Sequence, residues 1–271
     1  MIKQINLPLK LVYFGILPFF LISCSALGNR TIDLGDWNQI KLERLLAAAG
    51  DISEPGQKIA FISSAFLETP YLANTLIGNA ATAEKLVIRL DGVDCFTLLD
   101  YVEALRRSST FSEFKEVLQR IRYREGHVNF LYRNHFFSEW GDGDFSQLYN
   151  VTTLVGRADI LQMVKQLNQR EDGSVYLPGY PVKRRNVTFI SPEAVNESVL
   201  ARLQSGDYVG IYNPMPGLDV SHTGIIIKKS GKVLLRHASS KQSLQKVTDE
   251  ELLPYLGDEK GLIVYRPIDK R

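Results

Sequence analysis

The hydrophobic pattern of the chain changes along its length, and this change limits the folds that the chain can adopt. Apolar residues recur at helical spacing in the first half. Past residue 184 the pattern becomes β-branched or alternating, in short runs separated by Gly, Pro and Asp. Helices followed by antiparallel strands predict an α+β fold and argue against a doubly wound parallel sheet. The predicted helices cover 38–49 (ended by Gly50), 55–68, 94–107 and 111–121, and the predicted strands cover 86–90, 186–190, 207–212, 222–228, 232–238 and 262–266.

The charge balance argues against nucleic acid as a partner. The chain carries 32 Lys and Arg against 30 Asp and Glu. Both excess cations, Lys3 and Lys10, lie in the first 23 residues, which contain no acidic residue. The remaining chain is therefore balanced at 30 against 30, and no overall basic field is available to attract phosphates.

The N-terminus has the pattern of an export signal. A cationic start at 1–10 precedes an apolar run at 11–23, which is shorter than the roughly 20 residues that a membrane span requires. Residues 1–23 are therefore predicted to be a signal peptide. The run ends in Leu-Ile-Ser-Cys24, which resembles a bacterial lipobox and implies a lipid on Cys24, with ordinary cleavage after Ala26 as the alternative. Residues 24–36 are predicted to be a lipidated tether.

The lipobox also implies a location in the cell. Because Ser25 follows the cysteine, the resemblance favours the outer membrane, with the protein facing the periplasm. The inner membrane and the soluble periplasm remain alternatives.

Cys95 is the second of only two cysteines in the chain, and it is predicted to open a helix with Asp94 as its N-cap. The unpaired amides and the dipole at a helix N-terminus favour a thiolate, so we expect a lowered pKa and a nucleophilic sulfur. The alternative is that Cys95 only packs in the core.

Two histidines are predicted to lie side by side on a β-hairpin. If Ser230 and Gly231 form a two-residue loop, Lys229 faces Lys232, and His222 and His237 project from the same face as diagonal neighbours. A three-residue loop would separate them. Cys95, His222 and His237 would then supply a nucleophile, a base and a group that orients the base.

These residues lie in an order that resembles the NlpC/P60 papain-like cysteine hydrolases of bacterial cell walls. More narrowly, three segments resemble the DUF1460 branch, which is described as N-acetylmuramoyl-L-alanine amidase-like. The wider resemblance lies in Asp94-Cys95, Ser205-Gly206-Asp207, Ser221-His222 and Arg236-His237-Ala238, and the narrower one in the segments around Tyr71, around Cys95 and from Arg133 to Trp140.

The resemblance implies a papain-like core, no cofactor or metal, and a role for each matching residue. Cys95 would be the nucleophile, His222 the base and then the acid, and His237 the group that orients His222. The substrate would be peptidoglycan fragments, including anhydro-muropeptides, cut between muramic acid and L-Ala by a monomeric enzyme. The residues expected to contact the substrate are Tyr71, Asp94, Arg133, His135, Trp140 and Ser221.

One departure from the superfamily pattern bears on the choice of bond. Many members read Asp-Cys-Ser-Gly, with the serine on a free amino end of the stem peptide, whereas this chain has Phe96 and Thr97 after the cysteine. The change disfavours a γ-D-glutamyl-diamino-acid endopeptidase, which is kept as an alternative. Two others are a zinc hydrolase with Cys95, His222 and His237 as ligands, and a lipoprotein that binds cell-wall fragments without cutting them.

The predicted organisation is a single catalytic α+β domain over 37–271. It has a helical part at 37–125, a substrate-facing insertion at 126–183 and an antiparallel sheet at 184–271.

Overall fold

The computed structural model describes residues 30–143, 145–257 and 261–268, so the predicted signal peptide and Cys24 lie outside the described residues. Within the described part of the chain, no helix has both the length and the apolar character needed to cross a bilayer. The helices are α1 (Gln39–Gly50), α2 (Pro55–Ser64), α3 (Cys95–Arg106), α4 (Phe111–Arg122), α5 (Phe137–Gly141), α6 (Thr152–Gly156), α7 (Glu197–Arg202) and α8 (Leu252–Leu256). The strands are β1 (Arg30–Asp33), β2 (Leu86–Arg89), β3 (Leu148–Asn150), β4 (Ile160–Leu167), β5 (Lys183–Ile190), β6 (Tyr208–Tyr212), β7 (Val220–Lys229), β8 (Lys232–Ala238), β9 (Val247–Glu251) and β10 (Leu262–Pro267).

The four helices predicted in the first half are present, and their caps explain where they begin. The side chains of Asn38, Glu54, Asp94 and Thr110 accept bonds from amides of the first turns of α1 to α4. Helix α2 ends at Ser64, four residues before the predicted end. Glu68 takes a positive φ of 70° and Pro70 follows shortly after, and neither is compatible with a continuing helix.

The predicted antiparallel sheet is also present, so the mixed α+β class is confirmed. The strands lie in the order β4-β5-β10-β6-β7-β8-β9, with β3 paired to β10. All of these neighbours run antiparallel. Strands β4 and β9 were not predicted, and both lie at the edges of the sheet, where few side chains are buried and little hydrophobic alternation is required.

Helices cover both faces of the sheet. Tyr208 of β6 and Ile225 of β7 face the larger core, which they share with α1 to α4. Their sequence neighbours Val209 and Ile226 face a second core, which is closed by α6, α7 and α8. This alternation places the start of α3 against β7, where Thr223 Oγ1 donates to the backbone carbonyl of Cys95 at 2.8 Å.

The N-terminal boundary differs from the predicted one. Strand β1 pairs in parallel with β2, from Arg30 opposite Leu86 to Asp33 opposite Arg89. Part of the segment predicted to be a tether, 24–36, is therefore bound to the domain. All four residues of β1 are exposed, so burial leaves no pattern in the sequence by which the strand could be recognised.

Candidate active site

A capping box holds Cys95 at the first position of α3. Asp94 Oδ1 accepts from the amides of Phe96 at 3.0 Å and Thr97 at 2.7 Å, and Thr97 Oγ1 accepts from the amide of Asp94 at 2.9 Å. The reciprocal bonds fix the first turn and therefore the direction of the Cys95 side chain. Asp94 was predicted to contact the substrate, whereas in the structure its Oδ1 is occupied by the hydrogen bonds of this cap.

The pKa of the Cys95 thiol differs from the prediction. Burial raises it to about 11, and the adjacent Asp94 carboxylate acts in the same direction. These two effects outweigh the hydrogen bonds from Thr223 and from the backbone amide of Cys95, which favour the thiolate. Cys95 is therefore a neutral thiol in the resting protein near pH 7, and a nucleophilic reaction at this sulfur requires a base to remove its proton.

The histidine hairpin has the predicted register. Ser230 and Gly231 have φ values of 51° and 77°, as a type I′ turn requires. Lys229 faces Lys232, and the pairing continues to Ile225 opposite Arg236. His222 Nε2 consequently lies 2.8 Å from His237 Nδ1, with the two rings almost perpendicular.

His237 is buried and continues the hydrogen-bond chain. Its Nε2 lies 2.8 Å from Oε2 of Glu250, on the adjacent strand β9. Burial lowers the pKa of His237, and the Glu250 carboxylate opposes this effect. Tyr255 of α8 packs its ring at 4.9 Å from the His237 ring and 6.0 Å from that of His222.

Glu250 and Tyr255 were missed by sequence reasoning. Glu250 lies opposite Leu235 and is a diagonal neighbour of His237, on a strand that was not itself predicted. Only the register of β8 against β9 brings Glu250 to the site, and that register leaves no motif in the sequence.

Cys95 and His222 line the same cavity, which measures about 240 Å³. The other polar residues at its wall are His135, Asp219, Ser221 and Thr223. The remaining wall is apolar or aromatic and consists of Phe96, Phe136, Phe137, Tyr176, Leu177, Leu218 and Val220. Asp219 is buried and accepts bonds from the amides of Ser138 and Val220, each at 2.8 Å. The cavity therefore suits a small and largely uncharged group next to the thiol.

His135 contributes a neutral imidazole to this cavity. Its Nε2 lies 2.8 Å from the carbonyl oxygen of Phe130, and its ring packs against Phe130 and Tyr180. Burial lowers its pKa to about 4, so it is uncharged at neutral pH. Because a carbonyl can only accept, Nε2 carries the proton and Nδ1 is a hydrogen-bond acceptor.

The other residues predicted to bind substrate differ in their placement. Ser221 lies at the cavity wall. Tyr71 is not part of that wall. Burial raises its pKa, and the nearby Cys95 and Asp94 side chains act in the same direction when they are ionised.

Arg133 and Trp140 do not line the cavity, contrary to the expectation that they shape it. Arg133 is 3.0 Å from the buried carboxylate of Glu84. Trp140 is 3% exposed, and its Nε1 donates to Asp100 at 3.0 Å. Its indole packs behind Phe96 and Phe137, which do reach the cavity, so its influence on the cavity is indirect.

Among the described residues, no group of three or more His, Cys, Asp or Glu side chains is arranged to hold a metal ion. Instead, Nε2 of His222 and Nδ1 of His237 face each other at hydrogen-bond distance.

The fold and the cavity define a mixed α+β protein in which a thiol and a histidine share one pocket, and a buried second histidine bonds to the first. Residues 61–262 match the family model described as AmiA-like, N-acetylmuramoyl-L-alanine amidase-like. The chain belongs to this family, and the resemblance to the DUF1460 branch is confirmed. No curated protein sequence gives a significant match.

Solved structures from three bacteria are similar to this chain. A DUF1460 protein of Legionella pneumophila has a TM-score of 0.71 at 21% identity, covering 85% of this chain and 94% of its own, and it supports the fold alone. An N-acetylmuramoyl-L-alanine amidase of Bacteroides uniformis has a TM-score of 0.67 at 27% identity, with 79% and 99% covered. A protein of Bacteroides fragilis with the provisional name of a xylanase has a TM-score of 0.62 at 28% identity, with 75% and 98% covered.

Proposed function

We propose that this protein is a cysteine-dependent N-acetylmuramoyl-L-alanine amidase of peptidoglycan fragments. The observation that carries the proposal is the hydrogen bond between His222 and His237 at the cavity that Cys95 also lines. Membership of the amidase-like family supports the choice of bond. The helix that begins at Cys95 and packs on the antiparallel sheet fits a papain-like core of the NlpC/P60 type, within a single catalytic domain.

The reaction would proceed in two halves. His222 removes the thiol proton as the Cys95 sulfur attacks the lactyl carbonyl carbon, and a C–S bond forms. The C–N bond to L-Ala then breaks, and His222 gives its proton to the leaving amine. A water molecule, deprotonated by His222, next attacks the thioester. The C–S bond breaks, His222 returns its proton to the sulfur, and the lactyl carboxylic acid leaves and loses its own proton to solvent.

The size and polarity of the cavity are consistent with this bond. The lactyl and L-Ala groups on either side of the amide are small and uncharged, as the largely apolar wall requires. An endopeptidase that reads the free amine of a stem peptide needs an acceptor for that amine next to the thiol. Phe96 occupies the wall directly after Cys95 and offers no such acceptor.

The xylanase name of one structural neighbour suggests a glycosidase as a second function, and the cavity argues against it. Glycoside hydrolysis commonly uses two carboxyl groups, about 5 to 9.5 Å apart. Asp219 is the carboxylate among the described residues at the wall of this cavity, and it accepts bonds from two backbone amides.

Mass spectrometry of muropeptides incubated with the protein lacking residues 1–29 tests the proposal, with Cys95→Ala in parallel. We expect the intact amino sugar and a free peptide that begins with L-Ala, both lost in Cys95→Ala. Cleavage after D-Glu would show an endopeptidase, and cleavage of xylan a glycosidase. Full activity of Cys95→Ala would refute the nucleophile. Tight binding without cleavage of monomeric and anhydro substrates would show a binding lipoprotein.

We also propose that a lipid on Cys24 anchors the protein to the outer membrane, facing the periplasm. Labelling of cells with a radioactive fatty acid tests this proposal. The label should appear on the wild-type protein and be absent from Cys24→Ser. Label that persists on Cys24→Ser would show another attachment site.

A further inference from the structure

A carboxylate of strand β9 extends the histidine pair into a longer hydrogen-bond chain. Glu250 Oε2 lies 2.8 Å from His237 Nε2, and Glu250 Oε1 lies 2.6 Å from Nζ of Lys241. His237 Nδ1 in turn lies 2.8 Å from His222 Nε2. His237 is 1% exposed, so water cannot readily replace either of its partners.

The charge of the last member determines where each proton lies. An ionised carboxylate only accepts hydrogen bonds, so His237 Nε2 must carry a proton. Burial lowers the pKa of His237, so the ring is neutral near pH 7 and its Nδ1 is an acceptor. His222 Nε2 must then donate to it, and in a neutral His222 the lone pair lies on Nδ1.

We propose that Glu250 is a positioning residue, which fixes the tautomers of His237 and His222 so that His222 Nδ1 can act as the base. This inference rests on the proposed function and adds to the nucleophile, base and orienting group a fourth member that acts through His237. Glu250 also has an electrostatic effect. Its negative charge stabilises the imidazolium that forms when His222 takes the proton of Cys95.

Other titratable groups face the histidine pair from each neighbouring element. Asp249 and Glu250 come from β9, Lys241 from the β8–β9 connection, Tyr255 from α8 and Cys95 from α3. Asp249 is paired with Arg236 through two bonds of 2.8 Å, which offsets its charge. Lys241 partly offsets Glu250 and also lies 4.7 Å from the centre of the Tyr255 ring. Glu250 bonds directly to the pair, through His237.

The variant Glu250→Gln tests the inference, and Glu251→Gln is its matched control. Glu251 is the next residue of β9, and its carboxylate pairs with Lys232 at the surface. A glutamine at 250 removes the charge and can turn its N–H toward His237, which reverses the donor order along the chain. We expect a loss of roughly 10-fold or more in kcat/KM, which is part of the roughly 10²–10⁴-fold that general acid–base catalysis contributes. Glu251→Gln should retain the wild-type rate.

The pH profile separates positioning from a purely structural effect. Removal of the carboxylate lowers the apparent pKa of the histidine pair, so the acidic limb of kcat/KM should move to lower pH while the maximum falls. A structural defect would lower the rate at every pH without moving the limb. An unmoved limb, or a profile equal to that of Glu251→Gln, would overturn the inference.

A double-mutant comparison tests whether Glu250 acts through His237. In a His237→Ala background, the change Glu250→Gln should have no further effect on kcat/KM or on the rate at which iodoacetamide alkylates Cys95. If the effects of Glu250→Gln and His237→Ala instead multiplied in the double mutant, the inference would be contradicted. Alkylation needs no substrate, so failure of the proposed amidase activity would be seen separately, as absence of cleavage by the wild-type protein. In that case, unequal alkylation rates of Glu250→Gln and Glu251→Gln would still support the positioning role of Glu250, and equal rates would refute it.

Discussion

At the scale of single residues, two groups of influences act in opposite directions on the protonation of the Cys95 sulfur. The start of α3 and the bonds from Thr223 favour the thiolate of Cys95, whereas burial and the Asp94 carboxylate disfavour it. A thiol that stays protonated until substrate arrives is protected from reaction with other electrophiles, because the thiolate is the reactive form. In the proposed reaction, a base would then be needed only when the carbonyl group of the substrate is in place.

The variant Asp94→Asn should make Cys95 more reactive in the absence of substrate. Asparagine caps a helix about as well as aspartate, so the first turn of α3 should persist. The negative charge that raises the pKa of the thiol is removed, so that pKa should fall from about 11. The rate of alkylation, measured between pH 7 and 10, should rise at lower pH than in the wild type. An unchanged profile would show that burial alone sets this pKa.

The variant His135→Phe should weaken substrate binding without changing the pH profile. The pKa of His135 is lowered to about 4, so this residue does not titrate in the range where the enzyme would act. Phenylalanine occupies similar space but cannot accept a hydrogen bond from substrate. We expect KM to rise by several-fold, with the shape of the kcat/KM profile above pH 5 retained. An unchanged KM would mean that His135 serves the wall only by packing.

At the scale of elements, the β7–β8 hairpin decides whether the two histidines meet. Its register depends on a two-residue turn in which both residues take positive φ values. A slip by one residue would turn His222 and His237 to opposite faces of the sheet. The turn is therefore a condition for the site although it lies at the far end of the hairpin.

Gly231→Ala should destabilise the protein by about 1 kcal/mol, because alanine is strained at a φ of 77°. A Cβ at this position would meet no atom within 4 Å, so the cost is conformational and not a clash. Ser230→Asn is the matched control, since Asn-Gly is a preferred type I′ pair, and it should be neutral or slightly stabilising. Urea unfolding of both variants checks the sign of each change in the free energy of unfolding. Equal stability of Gly231→Ala and wild type would argue against this turn.

Elements with a repeating apolar pattern or a cap were predictable from the sequence, and the remainder were not. Helix α3 has both features, and the β7–β8 hairpin has its turn residues, so the thiol and the two histidines could be placed together in advance. Strand β9 reads Val-Thr-Asp-Glu-Glu. Only Val247 of this strand is buried, and the bonds on its outer edge join Val247 to Glu68 and Thr69, so burial imposes no alternation along the strand. Glu250 and the apolar wall of the cavity depend on such long-range placement. The pKa of Cys95 was predicted wrongly because a sequence shows a helix start but not the depth at which it is buried.

At the scale of the whole molecule, the two cores are joined through one sheet, and the chain before α1 belongs to the larger of them. Trp37 is 5% exposed and stacks on Phe66, with ring centres 5.2 Å apart. Strand β1 lies just before it and pairs with β2, whose continuation leads to Asp94 and Cys95. The N-terminal segment therefore supports the strand that leads to Cys95.

A chain that begins at residue 30 should be more stable than one that begins at residue 37. The shorter chain lacks β1 and leaves the edge of β2 unpaired, at the cost of several backbone hydrogen bonds. We expect a Tm lower by several degrees, measured by circular dichroism, and slower alkylation of Cys95 if its position is disturbed. Equal Tm values would show that β1 contributes nothing to folding.

Strand β1 also limits how far the protein could move from a membrane. With a lipid on Cys24 and the chain bound to the domain from Arg30, six peptide units connect the two, and they span at most about 20 Å. A tether that ran to residue 36 would have allowed roughly twice that distance. An enzyme held so close to the lipid surface would sample a thin layer of the periplasm. It would therefore encounter wall fragments that diffuse to the membrane more readily than material fixed at a distance from it.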